Sequence, residues 1–169
     1  EIEVLTLPPK LSMMIQGCYR IKTLIVAGEE CGKEVKIKWS GHTKLINAYG
    51  PTESTVCATL IRVNNSKYKW NIPIGKPISN MSIYILDERK QPIPIGAIGE
   101  IYIGGAGLAR GYLNRAELTA EKFVENPFVS EEERIRGENL RLYRRGDLGQ
   151  YLADGNIKYV GRIDDQVKI

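Results

Sequence analysis

Three stretches carry residues whose types and spacing could do chemistry. The first is Asn47-Ala48-Tyr49-Gly50-Pro51-Thr52-Glu53. The apolar pair Leu45-Ile46 before it reads as a strand end. Gly50-Pro51 is a turn signal, because glycine tolerates unusual dihedrals while proline fixes its own and constrains the residue before it. A strand ending in such a turn leaves its next side chains at the carboxyl edge of a sheet, where open α/β sheets bind ligands. Tyr49 offers a flat ring there, Thr52 a hydroxyl and Glu53 a carboxylate, a set suited to a nucleotide. A carboxylate beside a phosphate site needs a cation between them, usually Mg²⁺. A surface turn with a satisfied Thr and a solvated Glu competes with this reading while the segment stands alone.

The second stretch, Tyr143-Arg144-Arg145-Gly146-Asp147-Leu148, places an acid after a glycine turn between two expected strands. One carboxylate can accept both hydroxyls of a ribose, and hydrogen bonds to a charged group are worth roughly 1.5–3 kcal/mol each. An Asp in a tight turn is the commoner use of such a residue. The third, Tyr159 to Lys168, is a polar knot of both signs that would also suit a salt-bridged surface turn. Between the first two lies a strand running into a glycine-rich loop, Gly99-Glu100 to Gly111-Tyr112. Its glycines are wrongly spaced for a dinucleotide fold and no βαβ unit surrounds them. The plain reading is that glycines let the loop pass close under other backbone, with Arg110 as its anchor.

The elements that must position these residues fall into two styles. Residues 1–7 alternate into an apolar strand stopped by Pro8-Pro9, and 10–16 have helical spacing that Gly17 ends. Residues 22–27 read as a buried strand ending at Gly28, 29–39 as a helix with Cys31, Val35 and Trp39 on one face, and 43–48 as the next strand. This β-α-β-α-β succession predicts a parallel sheet with crossover helices, whose strand ends at Gly28 and Tyr49 lie near one another. Residues 55–60 fit a strand or a helical turn. After the polar 64–67 the pattern changes to short strands at 72–74, 81–86 and 98–103. A helix is expected at 116–123, a mobile charge-rich loop at 130–139, and strands at 140–144, 148–152 and 157–160, with Asp154-Gly155 as a two-residue hairpin turn. The fold class is therefore α/β: a parallel-sheet β-α-β layer over residues 1–62, then an antiparallel barrel-like β subdomain over 63–169.

Composition narrows the function. The net charge of +4 comes from 24 basic and 20 acidic residues, too balanced to argue for nucleic acid. The arginines between 134 and 145 are interleaved with Glu131, Glu132, Glu133 and Glu138, a solvated mixed-charge face. No apolar run reaches membrane-spanning length, and Glu1-Ile2-Glu3 lacks the basic start of a signal peptide. Cys18, Cys31 and Cys57 are odd in number and widely spaced, which fits reduced thiols and a cytoplasmic location. With His42 as the single histidine, a histidine metal cluster is excluded.

In this order the motifs resemble the adenylation domains of non-ribosomal peptide synthetases, within the superfamily of adenylate-forming enzymes. The resemblance rests on Asn47 to Glu53, Gly99-Glu100 to Gly111-Tyr112-Leu113, Tyr143 to Leu148 and Gly161-Arg162 to Lys168, with Thr6-Leu7-Pro8-Pro9 in support. It covers essentially the whole chain. It implies the C-terminal half of the large adenylation subdomain. Such enzymes activate an amino acid with ATP and Mg²⁺ to aminoacyl-AMP and pyrophosphate, then transfer it to the phosphopantetheine thiol of a carrier protein. Carried over by position, Tyr49 stacks on adenine, with Asn47 and Gly28 near its edge. Thr52 contacts the α-phosphate, Glu53 holds Mg²⁺, and Asp147 binds the ribose hydroxyls beside Tyr159 and Arg162. Asp164 resembles the hinge on which the family's small C-terminal subdomain turns.

By the same resemblance, Thr6, Ile25, Ala27, Ala48, Val56 and Cys57 line the amino-acid pocket. They carry no charge and suit a bulky uncharged side chain, Phe or Tyr first. Other lining positions, the family's phosphate loop and its catalytic lysine are expected outside residues 1–169, in the remaining part of the same domain, so this piece alone is expected to be inactive. Arg145 stands where the family usually has a small hydroxyl residue. Outward pairing, a phosphate contact and intrusion on the nucleotide are all open to it, and tolerance is the expectation. Two other readings remain: an acyl-CoA or aryl-acid ligase of the same superfamily, and a non-catalytic nucleotide-binding module.

Overall fold

The computed structural model describes residues 2–16, 20–64, 68 and 72–163. Five strands form the first sheet in chain order: β1 (Val4–Leu7), β2 (Thr23–Val26), β3 (Lys44–Tyr49), β4 (Thr59–Arg62) and β5 (Lys76–Pro77). β1, β2 and β3 run parallel, which requires the crossovers supplied by α1 (Pro9–Met14) and α2 (Lys33–Trp39). β4 and β5 return antiparallel, so the sheet is mixed. Pro9 opens α1 at a position where its fixed φ is already helical and its missing N–H goes unused. Alternation along the strands decides which face is covered. Leu24, Val26 and Leu45 pack against Cys31, Val35 and Trp39, while Thr23 and Ile25 on the other face stay half-buried.

The second sheet is antiparallel and barrel-like, in the order β10 (Ile157–Arg162), β9 (Arg141–Tyr151), β7 (Gly99–Gly105), β6 (Met81–Leu86), with β8 (Phe123–Glu125) paired to the first half of β9. Ile83, Ile85, Ile101, Ile103 and Ile157 fill its core together with Tyr49, Ala58 and Ile74 from the first sheet's side. The bridge Gly75↔Ile157 ties the two sheets. No helix among the described residues is long and apolar enough to cross a membrane.

Several local expectations change. Residues 130–139 contain a helix, α4 (Glu131–Arg136), closed by a reciprocal cap. Ser130 Oγ accepts from the Glu133 N–H at 3.2 Å, and Glu133 Oε2 accepts from the Ser130 N–H at 2.8 Å. Gly137, at φ +69, ends it. The Ser-x-x-Glu signature was visible, but lack of apolar periodicity hid a helix that buries no face. α2 is shorter than expected, starting after Gly32. Residues 72–74 form no strand, although the Ile74 N–H donates to Ile157 O at 2.8 Å, and the next strand is β5. Residues 55–60 resolve into strand from Thr59 onward, with a 3-10 turn at Thr52–Ser54 ahead of it. The β9–β10 connection is a three-residue loop, since the Leu152 N–H donates to Asn156 O at 2.8 Å around residues 153–155, with Gly155 at φ +77. Finally, β9 is one strand through Gly146, where two strands were expected. α3 (Ala116–Lys122) lies close to its expected place.

Candidate functional site

The two sheets meet at the tip of the β3–β4 hairpin. Residues 50–58 make a wide loop there, closed by the Ala58 N–H donating to Tyr49 O at 2.8 Å. Gly50 is required for this closure, because a Cβ would lie 2.7 Å from the Ala58 nitrogen. Thr55 and Val56 sit at φ 56 and 72, a conformation that β-branched residues rarely adopt and that costs on the order of 1–3 kcal/mol each. Two contacts from the glycine-rich loop tie this turn down. Thr55 Oγ1 donates to Gly107 O at 2.7 Å, and the Ala109 N–H donates to Glu53 O at 2.8 Å. The glycines thus let one loop pass close over another, as the sequence suggested. The anchor differs: the Arg141 guanidinium donates to Arg110 O at 2.8 Å and Ala109 O at 3.2 Å, while the Arg110 side chain is exposed.

This strapping fixes Glu53. Its Oε1 accepts from the Tyr112 hydroxyl at 2.5 Å, and that hydroxyl lies 3.3 Å from the Tyr143 hydroxyl. Partial burial pushes the Glu53 carboxyl up, but the Tyr112 hydrogen bond, its own backbone, Tyr143 and the charge of Arg145 together hold it below the usual carboxylate value. Burial pushes the Tyr143 hydroxyl well up, and the Tyr112 contact adds to this. Neither tyrosine was singled out from the sequence, since Tyr112 lies 59 positions from Glu53 and no local spacing links them.

The second half of the site comes from an irregularity in β9. Glu100 pairs with Leu148 and Tyr102 with Arg144, so two steps of β7 face four of β9. Arg145, Gly146 and Asp147 lose their partners on β7, with Gly146 at φ +85, while Asp147 keeps Arg162 as its register partner on β10. Such bulges re-aim side chains. Asp147 is 2% exposed and turns toward Tyr49, whose hydroxyl donates to Oδ2 at 2.5 Å. From β10, Arg162 donates to Oδ1 at 3.2 Å and to Arg145 O at 3.2 Å. Arg145 adds an ion pair to Oδ2 at 3.2 Å. Burial, then the charge of Asp147, raises the Tyr49 hydroxyl far above its ordinary value, so it acts as a donor. The Tyr159 ring stands 6.3 Å from that of Tyr49, tilted by 42°.

Of the expected residues, Tyr49, Asp147, Tyr159 and Arg162 converge on this junction, with Thr52 exposed at the start of the 3-10 turn and Glu53 beside it. Asn47 is buried and spends its amide on Pro73 O at 2.8 Å. Gly28 follows β2 at φ +89. Thr6 and Ile25 are register partners on the helix-free face, and Ala27 follows two residues beyond Ile25. Ala48 shares that face, two residues beyond Ile46, the partner of Ile25. Val56 is exposed at the hairpin tip, and Cys57 Sγ donates to Thr59 O at 3.3 Å. Asp164 lies outside the described residues. Of the orientations open to Arg145, the outward one is not taken: its guanidinium points into the cluster.

Chemically, the junction offers a buried carboxylate for paired hydroxyls, two aromatic rings, two guanidiniums for an anion and an ionised carboxylate at its rim. Among the described residues no three His, Cys, Asp or Glu side chains gather into a metal cage. A single ionised carboxylate fits Mg²⁺, which keeps several waters and takes further ligands from substrate phosphates.

Residues 5–113 match the family model described as AMP-binding enzyme. Bacitracin synthase 3 of Bacillus licheniformis is 48% identical over 166 residues, 97% of this chain but 2% of that protein. A solved NRPS protein containing adenylation and PCP domains, PA1221, superposes with a TM-score of 0.83 at 32% identity, over 99% of this chain and 34% of its own. Holo-AB3403, a four-domain nonribosomal peptide synthetase bound to AMP and glycine, gives a TM-score of 0.83 at 36% identity, over 99% of this chain and 12% of its own. The chain thus spans only a small part of the proteins it matches.

Proposed function

The chain belongs to the AMP-binding enzyme family, and from that premise we propose that it is part of an amino-acid adenylation domain of a non-ribosomal peptide synthetase. Its reaction joins the carboxylate of an amino acid to the α-phosphate of ATP and releases pyrophosphate. The aminoacyl group then passes to the phosphopantetheine thiol of a carrier protein. The observation that carries this reading is the buried Asp147 carboxylate, turned by the β9 bulge onto Tyr49 and flanked by Arg162 and Tyr159.

In this scheme Asp147 accepts the two ribose hydroxyls and Tyr49 lies against adenine. Asn47, tied to Pro73, and the turn at Gly28 hold the strand ends along which the adenine edge runs. Thr52 donates to the α-phosphate. Glu53 holds Mg²⁺, which neutralises phosphate charge when bound. Catalysis is then positioning plus electrostatic stabilisation of the phosphate in flight. Residues 1–62 carry the adenine and pocket side chains, and 63–169 carry the ribose carboxylate and lead to the Asp164 hinge. The wall of Thr6, Ile25, Ala27, Ala48, Val56 and Cys57 is uncharged, which favours Phe or Tyr.

Amino-acid-dependent ATP–pyrophosphate exchange, run on the protein at its full natural length against a panel of amino acids, tests both levels. Exchange peaking with Phe or Tyr is expected. A peak with Asp or Glu would reject the pocket assignment, and no exchange with any amino acid by folded protein would reject the function.

A further inference from the structure

Arg145 occupies the middle of the junction. Its guanidinium is 3.2 Å from Asp147 Oδ2 and 5.8 Å from the centre of the Tyr49 ring, with 14% of the side chain exposed. Its charge also bears on Glu53 and on Tyr159. Its carbonyl is gripped by Arg162, and the Ile163 N–H donates to Gly146 O at 2.8 Å, so the bulge that carries it is fastened on the β10 side.

Both oxygens of Asp147 are already engaged, Oδ1 by Arg162 and Oδ2 by the Tyr49 hydroxyl and Arg145. A ribose diol arriving at this carboxylate must displace a donor. The Tyr49 bond is short at 2.5 Å, and Arg162 is doubly tied, to Asp147 and to the Arg145 carbonyl. Arg145 meets Oδ2 at the same 3.2 Å as Arg162 meets Oδ1, but it does so on a flexible stem whose other neighbour is the Tyr49 side chain, with no tie to backbone among the described residues. A guanidinium displaced in so enclosed a place needs another anion, and it matches phosphate oxygens in geometry and charge. Glu53, which its charge already reaches, marks the side on which the phosphates are assigned.

We propose that Arg145 exchanges anions when nucleotide binds: it is paired with Asp147 in the free protein and moves to a nucleotide phosphate when the ribose hydroxyls take the carboxylate. This rests on the assignment of Asp147 as the ribose acceptor. A bare nucleoside displaces Arg145 and offers nothing in return, whereas a nucleotide supplies its new partner. Arg145 therefore sets how strongly the site prefers AMP over adenosine.

Calorimetric titration of the full-length protein with adenosine and with AMP separates the possibilities. Arg145→Thr is expected to bind adenosine more tightly and AMP roughly tenfold more weakly, about the size of one charge-assisted hydrogen bond. The preference for AMP then collapses. Arg145→Lys, which keeps the charge and loses the fork, is expected to fall between. An unchanged AMP-to-adenosine ratio in Arg145→Thr overturns the proposal, as does equal tightening of both ligands, which would make Arg145 a plain obstruction. Asp147→Ala tests the underlying assignment separately: adenosine binding that survives it rejects the ribose role whatever Arg145 does.

Discussion

Arg144 and Arg145 are neighbours on β9, yet each serves a different buried carboxylate with a tyrosine hydroxyl attached. Arg144 Nε reaches both oxygens of Glu100, at 2.9 and 3.0 Å, and the Tyr102 hydroxyl donates to Oε2 at 3.1 Å. Glu100 and Tyr102 lie two apart on β7, and Arg144 is the register partner of Tyr102. Strand alternation alone assembles this group, beside Leu86 and Leu142 and away from the isoleucine core. The Asp147 group has the same ingredients but takes Tyr49 from 98 positions away and Arg162 from the next strand. Asp147 and Arg162 are register partners across β9 and β10, so it is the reach to Tyr49 that depends on the failed pairing with β7 at residues 145–147. The first group staples two strands together. The second sits at a loop-lined junction and faces two aromatic rings. The two groups share their composition and differ in the register of β9 against β7.

The largest effect on stability belongs to the regular group. Glu100→Ala removes two donors' acceptor and is expected to cost roughly 2–3 kcal/mol in urea unfolding, with the ATP KM of the folded enzyme unchanged. A raised KM would show that the two groups are coupled. Next, Gly146→Ala forces a side chain into φ +85 and is expected to cost about 1–2 kcal/mol while weakening AMP binding, because it presses β9 toward a regular ladder. The paired tyrosines sharpen the contrast further. Tyr102→Phe should cost about 1 kcal/mol or less and leave ATP KM alone, whereas Tyr49→Phe should raise ATP KM several-fold.

The smallest effect is alkaline. Burial, then the Glu100 charge, pushes the Tyr102 hydroxyl up to about 12 from an ordinary 10.0. Because the folded pKa is raised, its contribution is complete below about pH 10 and fades as pH climbs toward 12. A tyrosinate absorbance titration should lose one late step in Tyr102→Phe.

Much of this architecture was legible because apolar periodicity and proline or glycine punctuation act locally. The strands β1 to β3, β6 and β7 lie close to their expected places, and the turn at Gly50-Pro51 opens where expected. What stayed hidden depends on tertiary partners. Gly146 looks like a turn in one dimension, and only the facing β7 makes it a bulge within a single strand. The Tyr112–Glu53 bond joins loops 59 residues apart. The direction of Arg145 was undecidable locally, since outward water and inward Asp147 both satisfy a guanidinium. α4 is the opposite case: its signal is wholly local, in the Ser130–Glu133 cap, and it has no apolar periodicity because it buries no face.

The most direct measurement is ATP–pyrophosphate exchange by the full-length protein carrying Asp147→Ala or Glu100→Gln, with folding checked by circular dichroism. Exchange should fall by about two orders of magnitude or more in Asp147→Ala, the scale of a lost pair of charge-assisted hydrogen bonds, and persist in Glu100→Gln. Exchange that survives Asp147→Ala in folded protein, or that vanishes in folded Glu100→Gln, would contradict the assignment of the bulged carboxylate as the nucleotide site.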